Sequence, residues 1–585
     1  MASSDQVAAA LLAFAVISAT ATTTPHTPPP SSPPLPPPHI VVHVLDDVGY
    51  ADLGFSGLAG YRTPALDALA TTAGVRLSRY YVQPVCTPTR AALMTARFPF
   101  RSGLQEAMPQ ACEAALPAAA AGARTLAEEL ASSAARGGSV PYRTVMLGKW
   151  HLGYARWADT PTGRGFARHV GYFQGEEDYT NHTFCSQTCV FNGSAPSPLL
   201  GRCGLDLWDG REPLRGAAGN YSTHVYRDAA VRVIEEHAAA AAAAIAAAAL
   251  AAVSSPAPAP APLFLYAAWQ AAHVPLQAPP PGGPADALCA HVTDARRRVY
   301  CSMVVELDAA IGAVHEALER AGMMERALVL VTTDNGGMPS FAGGGGLFCD
   351  SVGSNHPLRA GKATLFEGGV RGVALLAGGA LPAAARGAVY GGLAHAVDVP
   401  ATLLEAAGVI APPPTAGGGG GPLRRAYASY GDGVSFWCAL PGAACGGDSG
   451  NASAAAPPRA EVPINIASNG SANSAIIVGD MKLILAPHLR YDGYFPPPPA
   501  RHVPPPPRPA GAKAKCDCFL FNVSADPTES NDLAMAPGAD ATIAALRARL
   551  ASYVASGDYS NGQDYSAHIG ALPALHGGTW APWLG

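Results

Sequence analysis

Residues 39–47 read His-Ile-Val-Val-His-Val-Leu-Asp-Asp, an almost unbroken apolar run that ends in two carboxylates. Such a run of β-branched residues predicts that His39–Leu45 is a strand buried on both faces of a sheet. Asp46 and Asp47 then lie at the carboxyl end of the strand. Adjacent carboxylates repel each other unless a positive charge holds them, so the pair indicates a cation site. An isolated Asp-Asp pair, however, is more often a turn with two solvated acids.

Three further apolar runs are followed by polar motifs. Helical patterns separate the runs, which predicts an α/β sheet whose strand-end loops meet at one edge and build a single site. In an extended Lys149-Trp-His151 segment, both polar side chains would share one face. The runs and their polar residues are Tyr142–Leu147 with Lys149 and His151, Leu263–Trp269 with His273, and Ala327–Thr332 with Asp334 and Asn335.

The segment Val85-Cys-Thr-Pro-Thr-Arg90 contains a Cys-x-Pro-x-Arg pattern. Good helix formers follow it, so Cys86 is predicted at or near a helix N-terminus, where backbone N–H groups favour an anion. Taken alone, a cysteine in an oxidised protein is more often half of a disulfide or a buried thiol.

Lysine is scarce, with five in 585 residues, so the lysines within motifs carry more information than usual. Lys362 lies in Gly-Lys-Ala-Thr-Leu-Phe-Glu367-Gly-Gly, and Lys149 in Gly-Lys-Trp-His. Alone, each lysine would be read as a solvated residue, and His151 and His273 as satisfied core histidines. As an ordered set, these residues are predicted to act together.

Composition and N-terminal pattern suggest a secreted protein. The formal net charge of -5, with 14% charged residues, provides no basic field for nucleic acid. The apolar run at residues 7–17 predicts a signal peptide over 1–21, and residues 22–38 form a Pro-rich spacer. The sequence predicts no membrane span, and the expected location is extracellular or cell wall, with a lysosome-like compartment as an alternative. Twelve cysteines indicate disulfides, and six glycosylation sequons are compatible with secretion: Asn181, Asn192, Asn220, Asn451, Asn469 and Asn522.

A change of composition around Pro412–Pro422 divides the rest of the chain. It predicts a catalytic domain over residues 39–422 and a smaller C-terminal domain over 423–585. Two strands within Asn473–Leu485, another at Cys518–Val523 and an amphipathic helix at Ala541–Val554 give the second domain an α+β character.

Taken in order, the motifs resemble those of the formylglycine-dependent sulfatase family, over about residues 39–535. Within it, Phe264-Leu-Tyr-Ala-Ala-Trp-Gln and Pro357-Leu-Arg are most similar to the arylsulfatase B (N-acetylgalactosamine 4-sulfatase) group. Ala96 stands where the family usually has glycine. The resemblance implies an α/β, alkaline-phosphatase-like mixed sheet sandwiched by helices, and hydrolysis of sulfate esters.

The resemblance also implies a site chemistry. Cys86 would be oxidised to formylglycine by a formylglycine-generating enzyme, and a divalent cation, calcium or alternatively magnesium, would be bound by oxygen ligands. By analogy Arg90 and Lys149 orient the formylglycine hydrate, Asp334 helps to deprotonate it, His273 and Lys362 contact the sulfate and protonate the leaving alcohol, and His151 takes a proton as sulfate is expelled. The implied cation ligands are Asp46, Asp47, Asp334, Asn335 and the modified residue 86.

Two alternatives stay open from the sequence. One is a phosphate or phosphonate ester hydrolase of the same fold, and the other is a non-catalytic binder of sulfated glycans in which Cys86 remains a thiol. The leaving alcohol is also open among aryl, polysaccharide and hexosamine sulfates. The residues that would read it are expected in loops 155–220 and 495–515.

Overall fold

A mixed ten-stranded sheet is the centre of the computed structural model. The structure describes residues 36–58, 60–108, 111–117, 123–136, 140–185, 201–250, 260–340, 351–411, 427–443, 457–467, 473–485, 491–497, 502–508, 516–556, 563–564 and 566–585. Its strands are β1 (His39–Leu45), β2 (Val75–Leu77), β3 (Tyr80–Tyr81), β4 (Arg143–Lys149), β5 (Arg168–Tyr172), β6 (Thr183–Cys185), β7 (Cys203–Leu205), β8 (Trp208–Asp209), β9 (Glu212–Pro213), β10 (Leu263–Ala268), β11 (Ala327–Thr333), β12 (Ala374–Ala377), β13 (Val389–Tyr390), β14 (Ala394–His395), β15 (Ser429–Tyr430), β16 (Gly433–Val434), β17 (Glu461–Ile464), β18 (Ser474–Val478), β19 (Met481–Leu485) and β20 (Cys518–Asn522).

The large sheet has the strand order β13-β2-β12-β11-β1-β10-β4-β5-β8-β9. Its middle five strands, β11 to β5 in that order, are parallel neighbours, whereas β12 joins β11 antiparallel. Parallel strands end at the same edge, so five strand-end loops converge there. The predicted α/β mixed sheet is confirmed.

Helices cover both faces of the sheet. Along β1 the side chains alternate: Val42 packs in one core with α2 and α9, and Val41 in the other with α5 and α7. This alternation explains why the whole strand is apolar. The α-helices are α1 (Pro64–Ala68), α2 (Cys86–Thr95), α3 (Pro99–Ser102), α4 (Leu126–Ala131), α5 (Ser222–Leu250), α6 (Ala285–Leu288), α7 (Ala295–Arg320), α8 (Glu367–Val370), α9 (Asp398–Ala406) and α10 (Ala539–Ala555).

Helix α2 carries the Cys-x-Pro-x-Arg motif and begins at Cys86, as predicted. All ten of its residues are buried. Ala96 ends the helix in a left-handed conformation with φ 54°. Glycine adopts that conformation without strain, which gives a physical reason for the glycine usual there in the family.

A second sheet of four antiparallel strands, β17-β18-β19-β20, packs against α10 and forms the predicted smaller C-terminal α+β part. A buried group of charges, here called the β19 cluster, connects it to α8. Lys482 Nζ lies 2.9 Å from both Glu367 Oε1 and Glu529 Oε1, and Arg371 lies 3.1 Å from Glu367 Oε2. Residues 37–585 form one compact unit, so the division at 422/423 stays a prediction.

The C-terminal segment packs against the wall of the pocket described below. Trp580 Nε1 donates a hydrogen bond to the Phe184 carbonyl at 2.9 Å. Trp583 meets the Tyr154 ring edge-on, with ring centroids 5.3 Å apart.

Disulfides join Cys185 to Cys203, Cys289 to Cys301, and Cys516 to Cys518. Cys86 and Cys112 are free thiols. Among the described helices, none is both long and apolar enough to cross a membrane. The predicted signal peptide and nearly all of the Pro-rich spacer lie outside the described residues, as do sequons Asn192, Asn451 and Asn469.

Candidate active site

The polar residues that follow β1 and β11 meet at the edge of the sheet. Asn335 Nδ2 donates to Asp47 Oδ1 at 2.7 Å, and the Asp47 amide approaches Asp334 Oδ1 at 3.4 Å. Together with Asp46, these side chains are buried. The two strands are parallel neighbours in register, which places their carboxyl ends side by side.

Each of the three carboxylates has a buried cation beside it. We call these six residues the strand-end cluster; its charges sum to zero. Charges buried this deeply require such pairing. The ion pairs are Lys149 Nζ with Asp46 Oδ2 at 2.6 Å, Lys362 Nζ with Asp47 Oδ1 at 2.7 Å, and Arg90 Nη2 with Asp334 Oδ2 at 2.8 Å.

Burial and pairing shift the acids of the strand-end cluster in opposite directions. Burial opposes ionisation of Asp47, but Lys362 and then His273 hold its pKa well below its usual value. Burial, followed by the charge of Asp46, raises the pKa of Asp334 to about 6. The pKa values of Asp47 and Asp334 therefore differ, because Asp47 has the stronger cationic neighbours.

Two buried oxygens of this site have no hydrogen-bond partner within the described part of the chain, namely Asp46 Oδ1 and Asn335 Oδ1. A buried oxygen without a partner is unfavourable. Asp46, Asp47 and His273 also offer ligand atoms within 4.8 Å of one another. Carboxylate and amide oxygens suit a hard divalent cation, so the residues present fit one.

Cys86 faces His151 at the start of α2. The Cys86 Sγ to His151 Nδ1 distance is 3.3 Å, and His151 Nε2 lies 3.1 Å from the Met108 carbonyl. A carbonyl only accepts, so the neutral ring carries its proton on Nε2 and presents the Nδ1 lone pair to Cys86. Burial and then Lys149 lower the pKa of His151 to about 3, so the ring is neutral near neutral pH.

The expectation that Lys149 and His151 lie on one face of an extended segment is wrong. Strand β4 ends at Lys149, and His151 has a left-handed backbone with φ 56°. The turn directs Lys149 to Asp46 and His151 to Cys86, so both still reach the site.

His273 follows β10 at the same edge. Its Nδ1 donates to the Val274 carbonyl at 2.9 Å, and its Nε2 lies 3.7 Å from Asp47 Oδ2. Burial and then Lys362 lower the pKa of His273. The neutral ring therefore turns an unprotonated Nε2 towards the strand-end cluster.

A pocket of about 120 Å³ opens over Cys86, His151, His273 and Lys362. Its other walls are partly apolar, with Tyr154, Phe173 and Phe184 among them, and the thiol of Cys112 also lines it. The pocket can receive an anionic group beside Cys86, with the rest of the same molecule against the far walls.

Three polar residues of the pocket were not named individually from the sequence: Gln174, Glu176 and Ser351. Gln174 and Glu176 lie within loop 155–220, one of the two loops expected to read the leaving alcohol, whereas no described residue of the other, 495–515, lines the pocket. The first two follow β5, a short strand that was not recognised and that ends at the same edge as β4. The same strand-end rule would have found them. Ser351 follows a glycine-rich run and has no comparable signal.

The comparisons with known proteins identify the family. The family model described as Sulfatase matches residues 38–409. The chain belongs to the sulfatase family. The predicted recognition is therefore confirmed, and this sulfatase is a sulfuric ester hydrolase.

Curated relatives of the sulfatase include three kinds of enzyme. Arylsulfatase J of Mus musculus is 30% identical over 570 residues, covering 93% of this chain and 80% of the relative. Arylsulfatase A of Homo sapiens is 32% identical over 351 residues, 58% of each chain. N-acetylgalactosamine-6-sulfatase of Homo sapiens is 29% identical over 349 residues, covering 58% of this chain and 56% of the relative. These relatives do not single out the arylsulfatase B group, so that closeness stays a prediction.

Solved structures with the same fold confirm the fold class of the sulfatase. The crystal structure of Ps i-CgsB superposes with a TM-score of 0.64 at 22% identity, covering 92% of this chain and 98% of that one. The PsFucS1 sulfatase from Pseudoalteromonas sp. gives 0.58 at 21% identity, covering 90% and 92%.

Proposed function

We propose that this sulfatase acts through formylglycine made from Cys86 by a formylglycine-generating enzyme, together with a bound divalent cation. The observation that supports this most directly is Cys86 itself. It is a free thiol at a helix N-terminus, it lines the pocket, and the Nδ1 lone pair of His151 faces it at 3.3 Å. The hydrated aldehyde would supply one hydroxyl that attacks sulfur and a second that allows sulfate to be expelled.

The proposed cation ligands are Asp46, Asp47, Asp334, Asn335 and residue 86, with calcium favoured over magnesium. The two unpartnered oxygens, Asp46 Oδ1 and Asn335 Oδ1, support this set. Since the strand-end cluster alone sums to zero charge, a divalent cation would make the site positive and so favour an anionic ester. It would supply charge stabilisation and would help to hold residue 86.

His151 is proposed as the base that accepts a proton from the second hydroxyl at residue 86. Its Nδ1 is unprotonated in the neutral ring, and the Met108 carbonyl fixes that tautomer. A lowered pKa keeps the ring neutral, which a base requires.

Lys362 and His273 are proposed to contact the sulfate and to protonate the leaving alcohol. Both line the pocket and both lie beside Asp47. Nε2 of the neutral His273 ring has no proton, so His273 must be cationic to donate one. An anionic ester bound beside the ring would favour that state.

Arg90 and Lys149 are proposed to orient residue 86, and Asp334 to help deprotonate it. Arg90 donates to Asp334 and to the Lys149 carbonyl, at 2.8 Å and 3.2 Å. These contacts fix the three groups relative to one another. Arg90 lies on the same helix as residue 86, one turn further along.

We further propose that the sulfatase is secreted, with residues 1–21 as a signal peptide and a domain division at 422/423. The disulfides between Cys185 and Cys203 and between Cys289 and Cys301 support an oxidising compartment.

Two measurements on protein made in its own host test the proposal. The mass of tryptic fragment 80–90 reports whether Cys86 is modified, and hydrolysis of a chromogenic aryl sulfate, with and without a chelator, reports turnover and its need for metal. Formylglycine with chelator-sensitive turnover is expected, and calcium should restore the rate. The matched control is Cys86→Ala from the same host.

Unmodified Cys86 without turnover would favour a non-catalytic binder of sulfated glycans. Turnover that survives both the chelator and Cys86→Ala would contradict the proposed mechanism.

A further inference from the structure

One wall of the pocket carries polar side chains without partners in the described part of the chain. Both amide atoms of Gln174 and the hydroxyl of Ser351 are buried and make no hydrogen bond. The Glu176 carboxyl group, which is nearly buried, also accepts none from the described residues; it lies 3.8 Å from Nδ1 of the neutral His273 ring. That nitrogen already donates to the Val274 carbonyl.

This wall is held firmly by contacts behind it. The buried Asp206 carboxylate accepts hydrogen bonds from the backbone amides of Phe173 and Gln174, at 3.2 Å and 3.0 Å. On the other side of the loop, Tyr179 donates to the His273 carbonyl at 2.9 Å. Gln174 and Glu176 therefore lie on a segment that is fixed relative to the reacting residues.

Buried polar groups without partners are rare in folded proteins, because each one loses its hydrogen bonds to water. Side chains of this kind that line a pocket are satisfied when a ligand supplies the partner. The sulfate itself has other contacts, since Lys362 and His273 lie next to Cys86. The free groups of Gln174, Glu176 and Ser351 are thus available to the remainder of the substrate.

The chemistry of these three groups fits hydroxyls. An amide and a hydroxyl can each donate and accept, and a carboxylate accepts strongly. A sugar hydroxyl does both, whereas an unsubstituted aryl group does neither and would leave all three groups unpaired. The aromatic walls, Tyr154 and Phe173, could contact either kind of substrate, so the polar wall is what discriminates.

We infer that Gln174, Glu176 and Ser351 form the leaving-group subsite of this sulfatase and that the subsite takes a sulfated saccharide through its hydroxyl groups. The inference rests on the proposed function.

The test compares two kinds of substrate, saccharide sulfates and an aryl sulfate, on the same enzyme. The probes are a panel of monosulfated neutral hexoses and N-acetylhexosamines and a chromogenic aryl sulfate, and the measured quantity is the ratio of their kcat/KM values. The variants are Gln174→Leu, Glu176→Met and Ser351→Ala. Thr223→Val is the control, because the Thr223 hydroxyl is equally buried and unpartnered but does not line the pocket.

In the wild type, at least one saccharide sulfate should be preferred over the aryl sulfate. Gln174→Leu and Glu176→Met should each lower the saccharide-to-aryl ratio about 10-fold or more, and Ser351→Ala about 3-fold. Thr223→Val should leave the ratio unchanged. Thermal unfolding of the pocket variants should not shift to lower temperature, because each removes a buried group that has no partner in the free protein.

A ratio that stays within 2-fold in all three variants would overturn the subsite, as would a wild type that turns over the aryl sulfate but no saccharide. A lower unfolding temperature together with an unchanged ratio would assign these residues a structural role instead. Loss of all turnover by wild-type enzyme that carries formylglycine would contradict the proposed function itself, which is a different result.

Discussion

The strand-end cluster and the β19 cluster are both buried, and in each of them a lysine forms an ion pair with a carboxylate. Lys362 and Lys482 each approach a carboxylate oxygen within 2.9 Å. Both clusters also contain buried oxygens without a hydrogen-bond partner among the described residues, such as Asp46 Oδ1 and Glu529 Oε1, but the strand-end cluster reaches a pocket through Asp47 and Lys362. In the β19 cluster, Glu367 accepts from Tyr81, Arg371 and Lys482, and none of these residues lines that pocket.

The difference teaches that buried charge alone does not identify a catalytic site. Pairing of opposite charges is needed wherever charges are buried, whatever their purpose. What separates the two clusters is that Asp47 and Lys362 of the strand-end cluster line the pocket. Matched substitutions in the two clusters can test this distinction.

The largest effect is expected from Lys362→Met. The substitution removes a cation that faces both Asp47 and the proposed sulfate position, so kcat/KM for an aryl sulfate should fall about 10³-fold, or about 4 kcal/mol in activation free energy. Steady-state kinetics measures it, with circular dichroism to verify folding. Activity within 10-fold of wild type would remove the strand-end cluster from the reaction.

Lys482→Met makes the same chemical change in the β19 cluster. It leaves Glu529 and Glu367 buried with less compensation, so the free energy of unfolding should fall by about 3 kcal/mol. Chemical denaturation measures the loss, and kcat of the folded variant should change little. Arg320→Ala is the control: Arg320 lies 3.9 Å from Glu235 and 3.8 Å from Glu316 on the exposed surface, and loss of these ion pairs should lower the free energy of unfolding by less than about 0.5 kcal/mol. A large fall in kcat without loss of stability would contradict the comparison.

Glu529→Gln tests the pH dependence of the β19 cluster. Burial raises the pKa of Glu529 from 4.5 to about 7. The folded state therefore binds this proton more tightly than the unfolded state, and the resulting stability, present below pH 4.5, is lost as pH rises through about 7. Between pH 5 and pH 8 the wild type should lose roughly 2 to 3 kcal/mol relative to Glu529→Gln. Parallel denaturation curves at several pH values measure the difference; a constant difference would contradict the assignment.

The smallest effect is expected from Thr125→Ala. This variant measures how much a neutral hydrogen bond away from both clusters contributes to the free energy of unfolding. Thr125 and Glu128 form reciprocal hydrogen bonds at the N-terminus of α4, at 3.0 Å and 2.8 Å. Loss of this cap should lower the free energy of unfolding by about 1 kcal/mol. Thr125→Ser keeps the hydroxyl and should retain most of the stability; equal losses in both variants would exclude the capping role.

Much of the strand-end cluster could be predicted from the sequence. His39–Leu45 and Ala327–Thr333 are long, β-branched and buried, so their periodicity identifies them, and a parallel arrangement then places Asp46 and Asp334 together. Helix α7 also carries a local signal, because Asp294 is a favoured N-cap residue and its side chain accepts a hydrogen bond from the Arg297 amide at 2.8 Å.

The edges of the large sheet were not predictable in the same way. Strand β2 has three residues and pairs with β12 about 300 residues later, so neither carries a local signal. Strand β5 contains Arg168 and His169 and resembles a loop in composition. Without β5, Gln174 and Glu176 could be placed only within the broad loop 155–220. The reacting residues were therefore predicted one by one, and these two were not.

Because Trp580 packs on the Phe184 segment, this part of the structure can be completed only late in the synthesis of the chain. The two residues are 396 positions apart, and at usual rates of translation the ribosome needs roughly 20 to 80 s to make that length of chain. During that interval the pocket wall with Phe184 and Tyr154 exists without its C-terminal contacts. The Phe184 ring therefore lacks its contact with Trp580 until Trp580 itself has been synthesised.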